Sequence, residues 1–543
     1  MSNLALGLDS STQSLTAVAI DIDAGRIVYQ HSLNYLTDSR LNTFGINDAY
    51  ILPPDEPGEA KQPVAMILAS LDAIFEDMKN HFPDQNLRLA DIAVINTSAQ
   101  QHGHLLLNNH SETLFKQLND PSLSNRKNLT QLITPALALP FARIWRTANT
   151  KDQADHVRNA LGGKEKIIEL TGSNAPLRFS AFGIRKTAQE HPKEYADTRI
   201  IHQISSFIPA ILTADPLTPL DYGNACGTSL MDYKKKQWSP ALIRAVAEGL
   251  PNGDTALQKK LPSLNSAQTI VANLASYFIE KYGLSPTCAV VIGSGDNPQT
   301  KVLVSGSLLS LGTSFVNMVE TDGRTFDPTG SANAMYDALD RPFMFGCRTN
   351  GCLRWDNIRA QHGLSPDDYH TAEQALADTP PGNKGRLFLW QGETESFPVS
   401  NPFDPVRIGY EQPAFPIDYA GIVESSLASV YLHSTPFMVP ADSLYVTGGP
   451  TQSHQINRRL AAIWNRKIIP IQNTGAALGA ALSAASALLA DQGKQLDMTA
   501  FCAAFTNAQT PVIPDPQDVQ AYHAPDGYLQ KFKRLEERVL SIS

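Results

Sequence analysis

The sequence predicts an α/β protein built of two related halves. Two strand–turn–strand segments with hydroxyl-rich turns lie about 300 residues apart, at 4–22 and 304–319. Between and after them, predicted strands and helices alternate, as in layered α/β folds. The chain has 543 residues, more than a single hydrophobic core usually serves. We therefore expect two large domains, at 1–258 and 259–543.

The first segment is the most informative part of the chain. An apolar run at 4–8 ends in Asp9, and the small polar residues 10–13 separate it from a second apolar run at 15–22. Such a turn offers hydroxyls and backbone N–H groups to phosphate oxygens, and a carboxylate beside it can hold Mg²⁺ through water. The alternative is a plain hairpin in which Asp and Ser only favour the turn.

The other elements follow from hydrophobic periodicity and turn signals. Strands are predicted at 26–31, 92–97, 289–293, 304–311, 315–319 and 444–447, and helices at 64–80, 151–161, 181–190, 203–213, 240–248, 271–282, 455–464, 476–490 and 528–540. Three polar segments interrupt this pattern. Residues 108–140 are predicted to be a loop or insertion, 251–262 a turn-rich domain boundary, and 511–525 an extended connector.

The second half contains two further turns suited to a nucleotide. Gly312, Thr313 and Ser314 separate the strands at 304–311 and 315–319, which repeats the first segment. Gly448 and Gly449 follow the strand at 444–447 and precede a helix, where backbone can lie close to a ligand. The alternative is that these turns only connect their neighbouring elements.

Polar residues at strand ends are candidates for binding and chemistry. Gln101 and His102 follow the strand at 92–97, and a neutral His both donates and accepts, which suits sugar hydroxyls. Asp296 follows the strand at 289–293, where α/β proteins place ligands. Asp221 lies in a polar loop and could accept a hydroxyl proton, although an Asp in a loop is commonly a turn former or helix cap.

Composition excludes several classes of protein. The formal net charge is −9, which argues against a nucleic-acid surface. The five cysteines show no CxxC spacing, so we expect free thiols and a cytoplasmic location. The Ala-rich stretch at 476–490 is too short to span a bilayer. We expect no membrane association and no signal peptide.

Taken together, these pieces resemble the FGGY carbohydrate kinases of the sugar-kinase/actin/heat-shock ATPase superfamily, over nearly the whole chain. The matching motifs are Gly7-Leu-Asp9-Ser-Ser-Thr12-Gln-Ser14, Gln100-Gln-His-Gly103, Asp221 with Gly227, Gly295-Asp-Asn-Pro298, Ser310-Leu-Gly-Thr-Ser314 and Thr447-Gly-Gly449. The resemblance implies two RNase-H-like domains with a ligand cleft between them, ATP and Mg²⁺ as cofactors, and a small sugar as substrate. Within the family, the motifs are most similar to those of xylulose kinases.

The resemblance also implies roles for individual residues. Asp9 matches the position that helps to place Mg²⁺, and Asp221 matches the catalytic base. The positions that match sugar-contacting residues are Gln101, His102, Arg178, Asp296 and Asn297. The positions that match nucleotide-contacting residues are Thr12, Gln13, Ser14, Gly312, Thr313, Ser314, Tyr369, Gly448, Gly449 and Ser453.

Two departures from the family pattern leave alternatives open. The family's Trp-x-Asp element appears here as Trp145-Arg146-Thr147, without its carboxylate, and the last glycine turn continues as Pro450-Thr451-Gln452-Ser453. The alternatives are a kinase of ribulose, fuculose, glycerol or another polyol, a non-catalytic sugar sensor, and a nucleotide-dependent scaffold. A monomer or a homodimer is expected.

Overall fold

A computed structural model describes residues 3–540 and divides into two compact units. The first unit runs to Leu303 and adds Met335–Arg341 and Thr474–Phe505. The second unit takes Val304–Ala334, Pro342–Asn473 and the chain from Thr506. The predicted boundary between residues 258 and 259 lies inside the first unit, and the division into family domains at that point stays a prediction.

The first unit is built on a mixed sheet. Its strands lie in the order Ile270–Asn273, Ala289–Val291, Ile92–Ala99, Leu4–Ser10, Ser14–Asp21 and Arg26–Asn34, and Ser294–Gly295 also pairs with Ile92–Ala99. The three strands at the N-terminus of the chain form an antiparallel meander, whereas Leu4–Ser10 is parallel to Ile92–Ala99. The predicted strands at 4–8, 15–22, 26–31 and 92–97 are confirmed.

A second, antiparallel sheet belongs to the same unit. Its strands lie in the order Lys61–Pro63, Phe141–Arg143, His104–Asn108 and Thr198–Gln203. Two short pairs, Met231–Asp232 with Gln237–Trp238 and Leu220–Asp221 with Leu264–Asn265, complete the strands of this unit within the described residues.

The helices of the first unit cover its sheets. They are Val64–His81, Ser111–Phe115, Pro121–Ser124, Leu129–Ile133, Lys151–Ala160, Lys164–Thr171, Ser180–Glu190, Pro192–Ala196, Ile204–Thr213, Tyr222–Cys226, Pro240–Ala247, Gly253–Lys260, Ser276–Tyr282, Asp296–Lys301 and Ala476–Asp491. One buried cluster joins the first sheet to Val64–His81, and another gathers around Ser180–Glu190 and Pro240–Ala247. The 3₁₀ turns are Pro83–Gln85, Leu89–Asp91, Lys116–Asn119 and Thr134–Ala136.

The small residues of helix Ala476–Asp491 allow an unusually close approach to its neighbours. A Cβ added at Gly479 would lie 1.9 Å from the carbonyl oxygen of Gln299, and one at Gly7 would lie 1.9 Å from the carbonyl oxygen of Ala477. Only glycine fits these positions, because backbone atoms cannot move aside as a flexible side chain can. The helix thereby fixes strand Leu4–Ser10, which carries Asp9, and the predicted packing role of 476–490 is confirmed.

The second unit contains a sheet with the strand order Pro342–Arg348, Phe315–Glu320, Leu308–Leu311, Ser443–Thr447 and Lys467–Pro470. Strand Leu308–Leu311 is antiparallel to Phe315–Glu320 and parallel to Ser443–Thr447. Smaller pairs join Leu387–Gln391 to Phe403–Ile408 and Glu395–Ser396 to Val399–Ser400. The predicted hairpin around Gly312 and the strand at 444–447 are confirmed.

The helices of the second unit include the predicted ones at 455–464 and 528–540. They are Cys352–Gln361, Tyr369–Asp378, Phe415–Ser434, His454–Trp464, Pro516–His523 and Tyr528–Leu540, with 3₁₀ turns at Asn383–Gly385 and Gly449–Gln452. Strand Asn333–Tyr336 and helix Met498–Thr506 contain the points at which the chain passes from one unit to the other.

Four predictions from periodicity are wrong in part. Residues 108–140 are not a loop, because Phe115 and Leu129 bury the apolar sides of short helices within the polar sequence. Segment 251–262 contains helix Gly253–Lys260, and segment 511–525 contains Pro516–His523. Residues 270–273 are a strand that pairs with Ala289–Val291 rather than the start of a helix. In each case tertiary burial or pairing outweighs local composition.

Candidate active-site residues

Three parallel strands of the first unit end side by side. In the sheet register, Ser10 lies opposite Ala99, and Ala99 lies opposite Gly295. The residues that follow each strand therefore emerge at one edge of the sheet, which is where open α/β sheets bind ligands. This edge brings together four of the predicted residues: Asp9, Gln101, Asp296 and Asn297.

Asp9 lies near the end of its strand with one side-chain partner. The hydroxyl of Ser98 donates to its Oδ1 at 2.7 Å. Desolvation raises the pKa of Asp9 to about 6, against the opposing effect of this hydrogen bond. A carboxylate with few protein donors and a raised pKa gains from a bound cation.

Asp296 and Asn297 form a small network with Gln101. The Asn297 side-chain amide donates to Gln101 Oε1 at 2.9 Å and to Asp296 Oδ1 at 3.0 Å. The backbone N–H of Gln101 also donates to Asp296 Oδ1, at 3.4 Å. Desolvation, followed by repulsion from Asp9, raises the pKa of Asp296 to about 7. The two carboxylates therefore face each other closely enough to interact.

Asp221 is buried and held by neutral donors. Ser294 Oγ donates to Asp221 Oδ2 at 2.6 Å, and the side chain of Asn224 donates to Oδ1 at 2.7 Å. The backbone of Asn224 donates to Oδ2 at 3.3 Å, so Asp221 also caps helix Tyr222–Cys226. Burial raises the pKa of Asp221 to about 6, so the group is ionised at neutral pH and still basic enough to accept a proton.

Gly223 and Gly295 allow the tight packing around Asp221. A Cβ at Gly223 would lie 2.6 Å from the carbonyl oxygen of Tyr336 and 2.7 Å from Asp221 Oδ2. A Cβ at Gly295 would lie 2.3 Å from Gln101 Cγ. A larger residue at either position would displace a candidate group.

His102 is held as a neutral ring. Its Nδ1–H donates to the carbonyl oxygen of Gly227 at 2.9 Å, and the ring stacks on Phe179 with centroids 4.4 Å apart. Burial, followed by the positive charge of Arg178, lowers the pKa of His102 to about 3. The guanidinium of Arg178 also lies 5.8 Å from the Phe179 ring centre. The neutral tautomer leaves Nε2 as a hydrogen-bond acceptor.

The first hydroxyl-rich turn presents backbone rather than side-chain donors. Thr12 Oγ1 donates to Gln100 Oε1 at 3.1 Å and accepts from Trp145 Nε1 at 2.8 Å, so its only proton is engaged. Gln62 donates to the carbonyl oxygen of Thr12 at 2.8 Å. Within residues 3–540, the N–H groups of Thr12 and Gln13 have no protein acceptor. Ser14 bonds with Ser11 across the turn.

The second hydroxyl-rich turn, which belongs to the second unit, also has backbone N–H groups without a protein acceptor in the described structure. Gly351 N–H donates to the carbonyl oxygen of Thr313 at 2.9 Å, and Ser314 Oγ donates to that of Thr349 at 2.9 Å. Gly312 donates to the carbonyl oxygen of Ser314. Throughout the described part of the chain, the N–H groups of Thr313 and Ser314 lack a protein acceptor. Consecutive free N–H groups of this kind form an anion-binding concavity.

The glycine turn lies beside the second hydroxyl-rich turn in the same sheet. Gly448 has φ 102°, and a Cβ there would lie 1.9 Å from the carbonyl oxygen of Leu311, so the turn requires glycine. Gly449 faces open space in the described structure. Ser453 caps helix His454–Trp464 by accepting from Ile456 N–H at 3.0 Å. Tyr369 begins its own helix and is 68% exposed, with Arg359 5.1 Å from its ring centre.

Sequence reasoning missed the residues that hold the candidate groups in place. They are Gln62, Ser98, Gln100, Trp145, Phe179, Asn224 and Ser294. Gln100 and Trp145 stand inside motifs that the sequence already singles out, and Ser294 directly precedes another. Asn224 follows Asp221 at the spacing of a helix cap. No local pattern marks Gln62, Ser98 or Phe179.

Residues 3–540 contain neither a cluster of metal-ligating side chains nor a helix that could span a membrane. No group of three or more His, Cys, Asp or Glu side chains is arranged to hold a metal ion. No helix in this range combines the length and apolar character needed to cross a membrane. All five cysteines are free, as expected.

The chain is similar in sequence to known carbohydrate kinases. Residues 136–302 match the N-terminal domain of the FGGY family of carbohydrate kinases. The chain is 27% identical over 559 residues to the xylulose kinase of Rattus norvegicus, covering 99% of this chain and 97% of the relative. It is 28% identical over 536 residues to the D-xylulose kinase A of Aspergillus niger, covering 91% of each.

Two solved structures share the fold. Ligand-bound xylulose kinase from Lactobacillus acidophilus has a TM-score of 0.76 at 18% identity and covers 99% of both chains. Glycerol kinase from Plasmodium falciparum with ADP has a TM-score of 0.76 at 15% identity, covering 99% of this chain and 98% of that one. The predicted two-domain α/β fold of the sugar kinases is confirmed.

Proposed function

Because the chain carries the N-terminal domain of the FGGY carbohydrate kinases and has xylulose kinase homologues along most of its length, we propose that it phosphorylates D-xylulose with ATP. The products are D-xylulose 5-phosphate and ADP. The observation that carries this proposal is the match to the rat xylulose kinase, which extends over 99% of the chain. The contacts of the candidate residues support it.

Asp221 is the general base in this proposal. Its carboxylate accepts the proton of the terminal sugar hydroxyl as that oxygen attacks the γ-phosphorus, and the bond from the γ-phosphorus to the β-bridging oxygen breaks. A buried carboxylate with a pKa of about 6 suits this role at neutral pH. Its three donors, all neutral, hold it in one orientation without supplying a competing positive charge.

The sugar is bound by groups that accept and donate in fixed directions. The neutral ring of His102 offers Nε2 as an acceptor, since its Nδ1–H is engaged with Gly227. Asp296, Asn297 and Gln101 offer carboxylate and amide groups from the strand ends, and Arg178 adds a cation beside His102. Such a set favours a polyhydroxylated substrate over an apolar one.

Each of the two hydroxyl-rich turns is proposed to bind nucleotide phosphate oxygens with the residues of its own unit. Thr12 and Gln13 in one turn, and Thr313 and Ser314 in the other, each supply two backbone N–H groups without protein acceptors in the described structure. Because the hydroxyls of Thr12 and Ser314 already donate within the protein, the backbone makes the main contribution. Tyr369, Gly448, Gly449 and Ser453 belong to the adenosine end.

The residues around Asp9 fit Mg²⁺. Burial raises the pKa of both Asp9 and Asp296, and repulsion from Asp9 adds to the rise at Asp296, so a nearby cation would stabilise both ionised groups. Mg²⁺ commonly takes one or two carboxylates, several waters and substrate phosphates. Asp9 would hold the ion, directly or through water, with Asp296 near it. When bound, Mg²⁺ neutralises charge on the transferring phosphate.

Thr147 stands where the family pattern has a carboxylate, and its hydroxyl makes a contact within the protein. Thr147 is buried, and its hydroxyl donates to the carbonyl oxygen of Ala60 at 3.1 Å. It acts in the packing of the segment that follows Trp145. Kinases of ribulose, fuculose or glycerol are the competing functions, because a glycerol kinase shares the fold.

The experiment is a coupled ADP-release assay with the purified full chain, ATP and MgCl₂. The substrates are D-xylulose, D-ribulose, L-fuculose and glycerol, and a reaction without sugar is the control. The proposal expects D-xylulose to give the highest kcat/KM. A higher value for another substrate would identify a different kinase, and sugar-independent ADP release alone would indicate an ATPase.

The proposal also covers cellular location, oligomeric state and partners. We propose a cytoplasmic enzyme, supported by five free cysteines, three of which (Cys226, Cys288 and Cys502) are buried. It acts as a monomer or homodimer, without nucleic acid or membrane as a partner. The net charge of −9 supports the exclusion of nucleic acid.

A further inference from the structure

Glu373 connects two elements of the second unit that the proposed function assigns to the adenosine end of ATP. It lies in the first turns of helix Tyr369–Asp378, four residues after Tyr369. Its Oε2 accepts a hydrogen bond from the hydroxyl of Ser453, and its Oε1 accepts from the backbone N–H of Gln455 at 3.0 Å. One carboxylate therefore joins the helix of Tyr369 to the end of the glycine turn.

The negative charge of Glu373 lies at the N-terminus of a helix, where a carboxylate is favourable. Ser453 and Gln455 stand at the N-terminus of the eleven-residue helix His454–Trp464. The first backbone N–H groups of a helix have no partner within the helix, and the helix dipole favours a negative charge there. The only hydroxyl proton of Ser453 is engaged by Glu373, and its oxygen accepts from Ile456 N–H. Ser453 is therefore a support for the turn rather than a free donor for a ligand.

The glycine turn is fixed at its other end by the sheet. Gly448 approaches the carbonyl oxygen of Leu311 too closely for any side chain, and Leu311 immediately precedes the phosphate-binding turn at Gly312. The segment from Gly448 to Ser453 is thus held at its start by close packing against Leu311 and at its end by the hydrogen bond to Glu373. Loss of Glu373 should loosen only the second end.

A separate contact holds the C-terminal end of helix Tyr369–Asp378. The buried guanidinium of Arg459 donates to the carbonyl oxygens of Leu376 at 2.9 Å and Thr379 at 2.5 Å. Arg459 also donates to Glu424 at 3.0 Å. The helix therefore remains attached when the Glu373 contact is removed, and a neutral replacement at this half-buried position should fold.

We propose that Glu373 is a positioning residue that sets the spacing between Tyr369 and the glycine turn, and so determines affinity for the nucleoside part of ATP. The inference rests on the proposed function, because it takes these elements to bind adenosine. It assigns no contact between Glu373 and the ligand. Its distinguishing consequence is that the phosphate turn at Gly312–Ser314 keeps its geometry without Glu373.

The test compares Glu373→Gln with wild type by calorimetric titration of ADP and, separately, of inorganic tripolyphosphate. A hydrogen-bonded carboxylate at a half-buried position predicts about a 5- to 50-fold weaker Kd for ADP in the variant. The Kd for tripolyphosphate should change by less than about twofold, since its binding turn is untouched. Glu411→Gln, a change at an exposed carboxylate of the same unit, is the matched control.

Steady-state kinetics give a second reading. KM for ATP should rise while KM for D-xylulose and kcat at saturating ATP stay near wild type. Ser453→Ala should reproduce the ADP effect, and the double variant should be no worse than the more affected single variant. This second variant carries the test if Glu373→Gln fails to fold.

Three outcomes would overturn the inference. One is unchanged ADP affinity in both single variants, and another is an equal loss for ADP and tripolyphosphate, which would mean general loosening of the unit. Failure of wild type to bind ADP would also overturn it. If wild type binds ADP but does not phosphorylate D-xylulose, the proposed function fails while the ADP arm still decides the role of Glu373.

Discussion

Replacement of Ser294 by Ala tests the environment of Asp221 without touching the carboxylate itself. Ser294 Oγ donates to Asp221 Oδ2 at 2.6 Å, the shortest of the three hydrogen bonds to this group. These bonds favour the ionised form and oppose the effect of burial on the pKa of Asp221. Removing one of them should raise that pKa further.

The size of the shift can be worked from the contact. A hydrogen bond to a charged group is worth about 1.5–3 kcal/mol, and one pKa unit corresponds to 1.36 kcal/mol. Asn224 keeps both of its bonds to the carboxylate, so the lower end of this range applies. We expect the pKa of Asp221 to move from about 6 to about 7.

The assay is the pH dependence of kcat/KM for D-xylulose between pH 5 and 9 at saturating ATP and Mg²⁺. The base must be ionised, so activity is lost as pH falls through the pKa, and the acid limb of Ser294→Ala should lie about one pH unit above that of wild type. Ser285→Ala, which removes a partly exposed hydroxyl, is the control. Coincident acid limbs for Ser294→Ala and wild type would refute the assignment of Asp221 as the base.

Three further results are expected. Asp221→Asn should lower kcat by about 10²- to 10⁴-fold while sugar binding measured by calorimetry is kept, and near-normal turnover would remove Asp221 from the mechanism. Asp296→Ala should raise KM for sugar about 10-fold or more and leave KM for ATP nearly unchanged, because sugar hydroxyls lose a charged partner; a selective loss of ATP affinity would assign Asp296 to the metal instead. The pKa of Asp296 in the folded protein, about 7, lies above its ordinary value, so its contribution to the free energy of unfolding is present at pH 4 and lost as pH rises through 7. Asp296→Asn should therefore gain Tm relative to wild type between pH 5 and 8 without Mg²⁺, and a constant difference across this range would contradict the pKa shift.

The sequence predicted the strands that are apolar runs beside small polar turns. The strands at 4–8 and 15–22 and the hairpin at Gly312 are of this kind, and they lie where expected. The helices in 108–140 and 511–525 were missed because the first segment has polar runs with Asn and Ser and the second has several prolines. Asp515 caps the helix Pro516–His523, but the burial of residues such as Tyr522 depends on distant parts of the chain, which a local window does not contain.

In the candidate site, too, some residues could be predicted from the local sequence and others could not. Asp9, Gln101 and Asp296 were predictable as candidates because they lie at or just after strand ends, and the sheet register then places those strand ends together. The supporting residues were not, because Ser98 meets Asp9 and Trp145 meets Thr12 only through tertiary contacts between distant segments. Thr12 shows the consequence: its hydroxyl looks like a phosphate donor in sequence, but its proton is engaged with Gln100.

The most direct test of the central claim is the identity of the product. The purified chain is incubated with ATP, MgCl₂ and D-xylulose, and the reaction is followed by ³¹P nuclear magnetic resonance with mass spectrometry of the sugar. We expect one ADP for each new phosphomonoester, with the phosphate on the terminal C5 oxygen. ADP without a sugar phosphate, or phosphate on another oxygen of D-xylulose, would contradict it.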